Sequence, residues 1–382
     1  MSLTAVFAAS AAPIPLYELY RRSEGLSKAD LSFTAVGYFV AAITGLLVLG
    51  RLSDYLGRRR VSLAALAVTA AGCLVLVDVH SAAPLIGGRI LQGIGAALAS
   101  SAIAAYIVDT APAARRWVAA AVTTGAPMVG LTIGALGSGA LVQYAPHPRS
   151  LVYLLAVALL AACSGLVGAN PETAERTPGA AASLRPQIRV PAAARRLLPV
   201  ASAIFVATWA LGGFYQAFGP TVAATQLGTR NTLVAAVIFA SLMAPSAIGA
   251  PLSGRLTPAG AQRAGMVVFA LALAVILASL RLEAVVPFVL ASAAAGSAQG
   301  ATFAGSLRAL LAEATPAERA GLLAVVYAIS YSGAAVPSLI AGQLARTLSL
   351  FEIALGYGAL AALACLITLA AARNPLRSAT AA

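Results

Sequence analysis

The 382-residue chain is 60% hydrophobic and 10% charged, with a mean hydropathy of +0.90, where soluble domains carry about 45–50% apolar and about 25% charged residues. That composition excludes a soluble globular protein: so little charge cannot solvate so much apolar surface, and lipid must be the solvent for most of the chain. The net charge of +13 comes from thinly scattered arginines, with Lys28 the one lysine. No basic stretch interleaves with aromatics, so nucleic acid is not an expected partner.

A spanning helix needs about 20 predominantly apolar residues. Runs of that kind fall at about 3–20, 31–50, 60–79, 83–108, 117–142, 149–168, 196–224, 231–252, 263–281, 284–312, 320–345 and 351–372. Runs this long satisfy their backbone in lipid only as helices. The first has no basic flank and no small-residue cleavage site, so it reads as a span and not as a cleaved leader; its very short preceding tail leaves an upstream start open. Six runs precede residue 169 and six follow residue 195. The interval holds Pro171, Pro178, Pro186 and Pro191 with Arg176, Arg185 and Arg189. The predicted organisation is an N-terminal six-helix bundle over 1–168, a cytoplasmic linker over 169–195, and a C-terminal six-helix bundle over 196–382.

With a cytoplasmic N-terminus, sixteen arginines lie at the inner loops and helix ends against seven basic residues outside, the sense of the positive-inside rule. Both termini are then cytoplasmic. The halves also repeat. Gly50-Arg-Leu-Ser-Asp54 aligns with Gly254-Arg-Leu-Thr-Pro258, and Asp109-Thr-Ala-Pro112 with Glu313-Ala-Thr-Pro316, both at an offset of 204. A duplicated six-plus-six chain suits two bundles rocking about a central site.

Three motifs stand out. The break after the second run reads Gly50-Arg-Leu-Ser-Asp54-Tyr-Leu-Gly57-Arg58-Arg59-Arg60, a tight turn whose arginines stay in water and whose acid can accept from Arg58. The fourth run carries Arg89-Ile-Leu-Gln92-Gly93-Ile-Gly95. The fifth carries Gly130, Gly134, Ala135, Ser138 and Gly139, whose glycines suit close helix contact. Together these resemble the signature loops of the major facilitator superfamily, in particular its twelve-span drug–proton antiporter branch. Ala135 and Ser138 depart from that branch's antiporter motif, which has proline and glycine there.

The resemblance implies an all-α integral membrane protein of twelve transmembrane helices, its two six-helix bundles related by pseudo-two-fold symmetry. It also implies a conformational latch of Gly50, Asp54, Gly57, Arg58, Arg59, Asp109 and Arg115, which in relatives meets the start of span eleven, near Gly321 here. Arg89 would anchor a hydrogen-bond network with Gln92 and take part in coupling, although bonding to backbone carbonyls explains a buried arginine equally well. Carboxylates sit near span ends, leaving Glu18 and Asp30 as the available proton carriers. Arg308 either snorkels to the inner surface or lines the cavity. Tyr17, Tyr38, Trp209, Tyr215, Gln216, Gln299, Arg308, Tyr327 and Tyr331 are the cavity candidates, because aromatics with a polar tip grip amphipathic solutes.

Cys73, Cys163 and Cys365 lie far apart in separate apolar runs, and His80 and His147 in short polar breaks, so neither a redox pair nor a metal site is signalled. No P-loop or hydrolase motif occurs, and no catalytic residue is expected. The expected function is secondary transport of a small organic solute across a bacterial inner membrane by a monomer without cofactor. The solute is neutral, amphipathic or anionic, since no mid-span acid is present to hold a cation. A proton-coupled exporter is the first reading. A metabolite uniporter or importer without proton coupling is the alternative, and a polytopic membrane enzyme or sensor the remote one.

Overall fold

The computed structural model describes residues 1–112, 116–186, 188–229, 231–315 and 318–376, and all regular structure among them is helical. Twelve long helices occur at the twelve predicted runs: α1 (Ser2–Ser23), α2 (Lys28–Leu49), α3 (Arg58–Val75), α4 (Ala82–Thr110), α5 (Arg116–Tyr144), α6 (Leu151–Ala169), α7 (Leu198–Thr225), α8 (Thr232–Leu252), α9 (Pro258–Arg281), α10 (Val285–Ala312), α11 (Arg319–Leu344) and α12 (Leu350–Ala371). Eleven are long and apolar enough to cross a membrane unaided. The other, α3, is 18 residues long and opens with Arg58, Arg59 and Arg60. Its arginines dilute its apolarity without displacing the helix.

Local chemistry sets several starts. Ser27 accepts from the Asp30 N–H while Asp30 accepts from Ser27, a reciprocal cap that begins α2. Ser349 and Glu352 do the same for α12. Thr257 caps α9, with Pro258 in the first helical position.

Two helices depart from the regular runs expected. α1 is broken: its first part ends at Ala11, a 3-10 turn covers Ile14–Leu16, and the helix resumes over Tyr17–Ser23. Pro13 and Pro15 have no N–H to give to the carbonyls four residues earlier, so the ladder cannot pass through them. α4 contains a π-turn at Ala99–Ile103, just beyond the Arg89–Gly95 motif, a local unwinding often found at functional positions.

The chain divides into two compact units, Met1–Pro186 with Thr229–Ala240, and Gln187–Gly228 with Ser241–Ala382. The first unit thus takes in the linker as far as Pro186 and the opening turns of α8. Within it, α2 and α3 pack along α4, α5 along α1, and α6 against α3 and α1. Within the second, α9 packs along α10, α11 along α7, and α12 against α9 and α7. Each pairing in the second unit repeats one in the first, six helices on, so the duplication read from two loops extends to the helix packing.

Gly130 and Gly134 allow α5 to lie directly on the α1 backbone. A Cβ at Gly134 would sit 2.1 Å from the Ala8 carbonyl oxygen, and one at Gly130 2.5 Å from that of Thr4. Gly139 similarly admits α8, where a Cβ would lie 2.5 Å from that of Ala236. Gly137, one turn away on the same helix, has nothing within 4 Å. Gly134→Val is therefore expected to destabilise the protein by about 1–3 kcal/mol through overpacking, while Gly137→Val is tolerated. Melting temperatures of the two variants in detergent test this; equal behaviour would remove the packing role.

Candidate functional site

The first cluster lies at the turn between α2 and α3. Gly50 closes α2, the short helix Leu52–Leu56 follows, and Gly57 turns the chain with φ +97°. Three arginines then crowd the start of α3, the helix end least hospitable to positive charge. Carboxylates collect around it. The Arg58 guanidinium donates to Asp54, to Ser53 Oγ at 2.7 Å and to Asp109 Oδ2 at 3.2 Å. Arg58, Asp54 and Asp109 thus meet in one place, Gly50 and Gly57 cap the helices on either side of the turn, and Arg59 takes part through its backbone N–H. Arg115, assigned to the same cluster, lies outside the described residues.

A carboxylate that sequence reasoning missed completes it. Glu172, from the start of the linker, accepts the Arg59 backbone N–H at 3.1 Å and so caps α3. Partial burial pushes the Glu172 carboxyl up, but the backbone N–H groups of Arg59, Ala174, Thr173 and Arg58 outweigh it and hold the group below its ordinary value. A Cβ at Gly57 would lie 2.4 Å from Glu172 Oε2, so that glycine serves both the left-handed turn and the access of the cap. Thr173 donates to Asp109, Thr177 N–H to the Tyr55 carbonyl and Tyr106 to the Pro171 carbonyl. The linker's first residues are strapped to the cluster.

The second unit repeats the device with other residues. Glu313, the counterpart of Asp109, is 3% exposed and accepts from Arg196 at 2.9 Å and from the Leu376 backbone N–H. Asn374 Oδ1 accepts from the Ala259 N–H in the first turn of α9. Asn170-Pro171 and Asn374-Pro375 stand 204 residues apart, the offset of the other repeats. That match was the available signal for Glu172.

The second cluster surrounds the break in α1. Pro13 leaves the Ala9 carbonyl without its helical donor, and Gln92 Nε2 supplies one at 3.0 Å. Arg89 Nη1 donates to the Ser10 carbonyl and, at 2.8 Å, to Gln92 Oε1. Leu16 N–H bonds Pro13 instead of Ala12, and Ser138 Oγ takes the Ala12 carbonyl at 2.5 Å. Arg89 and Gln92 are both 0% exposed, and the Tyr38 ring lies 4.2 Å from the guanidinium carbon, a cation–π contact. Ser138, a departure from the antiporter motif, thus has a structural reason of its own.

The proposed proton carriers have other partners. Glu18 is buried and held by Arg21 at 2.8 Å and Arg22 at 2.7 Å, and Asp30 is half-buried in the α2 cap. In the second unit, Trp209 meets Tyr331 edge-on at 4.9 Å and Phe303 at 6.2 Å; Phe205 and Phe303, 5.2 Å apart, extend this cluster and were not foreseen. Gln299 Oε1 is buried without a partner, Gln216 is buried and Tyr327 half-buried. Tyr215 hydrogen-bonds Ser292 at 2.5 Å and stacks on Phe288, away from the Trp209 group. Arg308 donates from its terminal nitrogens to the Ser253 and Gly254 carbonyls, tying α10 to the turn after α8.

Glu172→Gln is expected to weaken the α3 cap, a loss on the order of 0.3–1 kcal/mol. Because the folded carboxyl sits below its ordinary value, its contribution is present above the unfolded value and is lost as pH falls through the folded one. The melting-temperature gap between wild type and variant should therefore be full at neutral pH and vanish in acid below the normal glutamate range. A gap independent of pH would contradict the assignment.

Three comparisons bear on these two clusters. The Major Facilitator Superfamily model matches residues 1–278. Multidrug transporter MdfA of Yersinia pestis is 34% identical over 127 residues, 33% of this chain and 31% of that protein. The proton myo-inositol cotransporter hmit-1.1 of Caenorhabditis elegans is 41% identical over 71 residues, 19% of this chain and 12% of that one. The matched stretches therefore span about a third of the one relative and about an eighth of the other. Among solved structures, a D-xylose–proton symporter superposes with a TM-score of 0.76 at 15% identity, covering 99% of this chain and 97% of that chain. The nucleoside transporter NupG gives 0.72 at 11%, covering 97% and 99%. With a family match over well over half its length and that fold throughout, the chain belongs to the Major Facilitator Superfamily, a family of multi-pass membrane transporters.

Proposed function

We infer that this transporter exports a small organic solute across a bacterial inner membrane by alternating access, driven by proton entry, with both termini cytoplasmic. The observation that carries the reading is the grip of Arg58 on both Asp54 and Asp109. One cation between two carboxylates, where the loop joining α2 and α3 meets the end of α4, is an ion cluster whose making and breaking can bias two conformations. Likeness to a multidrug transporter over a third of the chain supports efflux. The inner-facing arginine excess supports the orientation. Proton coupling fits Glu18 better than Asp30, since Glu18 is the acid withdrawn from solvent, at 8% exposed. A second reading, uptake, is favoured by the stretch shared with a proton-coupled inositol cotransporter.

Proteoliposomes holding a trapped pH dye test both. Addition of small organic acids, sugars and amphipathic drugs in turn should identify a solute that undergoes counterflow and shifts internal pH. Asp54→Asn should reduce both by about tenfold or more while the protein remains folded, that being the scale of losing one charge-assisted contact. Glu18→Gln should keep counterflow and lose the pH change. Counterflow with no pH change in the wild type would remove proton coupling, and wild-type flux in Asp54→Asn would remove the latch. The sign of the pH change under a fixed solute gradient separates antiport from symport.

A further inference from the structure

Arg89 has more donors than its surroundings employ. Nη1 serves Ser10 and Gln92, but Nε and Nη2, buried with the rest of the side chain, have no hydrogen-bond partner. These two nitrogens share one edge of the guanidinium, and that edge presents a pair of near-parallel N–H bonds at the spacing of carboxylate oxygens. The Tyr17 hydroxyl is also buried without a partner and lies within electrostatic reach of Arg89. Arg89 sits seven residues into α4, about 10 Å along the helix, at a depth where an ionised side chain is costly unless it is matched.

The first unit supplies no matching anion. Glu18 is engaged by Arg21 and Arg22, Glu24 by Arg149, Asp54 and Asp109 by Arg58, Asp30 by the α2 cap and Glu172 by the α3 cap, while Asp78, beside His80, and Glu175 are exposed to solvent. Among the described residues no ion pair includes Arg89. What remains is a positive, planar, two-pronged donor with a hydroxyl close by and an aromatic ring over one face.

We propose that the Nε–Nη2 edge of Arg89, with the Tyr17 hydroxyl as a third donor, receives the carboxylate of the transported solute, so that the substrates are small organic carboxylates. This rests on the transport reading above and narrows it. A carboxylate there neutralises the buried cation; an amide of the same shape brings no charge and turns a donor toward donors, and an organic cation is repelled.

The test uses purified wild-type protein with sodium acetate, benzoate and succinate against acetamide, benzamide and succinamide, at constant ionic strength in chloride. At least one carboxylate should raise the melting temperature saturably, with an apparent affinity on the order of tenfold or more above its amide. Arg89→Gln should abolish the preference and Arg89→Lys, which keeps charge but not the fork, should reduce it. Should Arg89→Gln fail to fold, Tyr17→Phe removes only an unpartnered hydroxyl and should weaken carboxylate binding several-fold. Equal effects of acids and amides, no effect of any acid, an equal effect of sulfate, or an unaltered preference in the foldable variants would each overturn the proposal. Proteoliposomes from the same preparation separate the two levels: flux of uncharged solutes without carboxylate preference removes only this inference, whereas no solute flux at all removes the transport reading beneath it.

Discussion

In hydrocarbon a backbone carbonyl without a donor cannot turn to water, and the first helix of this chain has several of them. Pro13 and Pro15 interrupt the ladder where α1 is packed on all sides, and the carbonyls of Ala9, Ser10 and Ala12 lose the donors an unbroken helix would give. Gln92, Arg89 and Ser138 replace them. The break, the polar residues of α4 and the hydroxyl of α5 are thus one arrangement, each side chain supplying a donor to a carbonyl the break leaves open. Even the α5 glycines belong to it, because only a bare backbone at Gly130 and Gly134 lets α5 approach closely enough for Ser138 to reach Ala12.

A parallel economy governs the aqueous ends. α3 begins with three arginines at the helix end that least favours them, and Asp54, Asp109 and Glu172 gather there in answer. The second unit has no acid where Asp54 stands, having Pro258, and answers with Glu313, Asn374 and Arg196 instead. In both units the segment leaving the sixth helix returns to hold the turn that precedes the third. The gene duplication has kept the placement of the contact while changing the residues that make it.

What was legible in the sequence followed from constraints with one solution. A chain this apolar has to form helices about as long as the bilayer is thick, so the spans could be read directly, whereas a first unit that runs on to Pro186 and takes in Thr229–Ala240 could not. The loop cluster of Asp54, Arg58 and Asp109 was suggested by the motif in the loop, and Arg58 bonds both carboxylates. Which backbone carbonyl Arg89 meets was not legible, because that of Ser10 lies 79 residues away and leaves no trace in side-chain identity. The break in α1 lay in plain view as two prolines but was absorbed into a continuous apolar run. Glu172 was overlooked for a related reason: a proline-rich polar stretch reads as linker whether or not one of its acids caps a helix. Arg308 bonds the carbonyls of Ser253 and Gly254 in the turn after α8, partners that its charge alone does not name.

The dependence of the α1 break on its side-chain donors can be measured by a double-mutant cycle between Pro13→Ala and Gln92→Leu, read as unfolding free energy in bicelles. In the wild-type background Gln92→Leu should cost about 1–3 kcal/mol, the penalty of a buried acceptor left without its donor. In Pro13→Ala the new N–H is placed to take the Ala9 carbonyl, and the cost should largely disappear. Equal penalties in the two backgrounds would mean that the amide of Gln92 does not stand in for the missing helical donor, and the account of the first unit would fail with it.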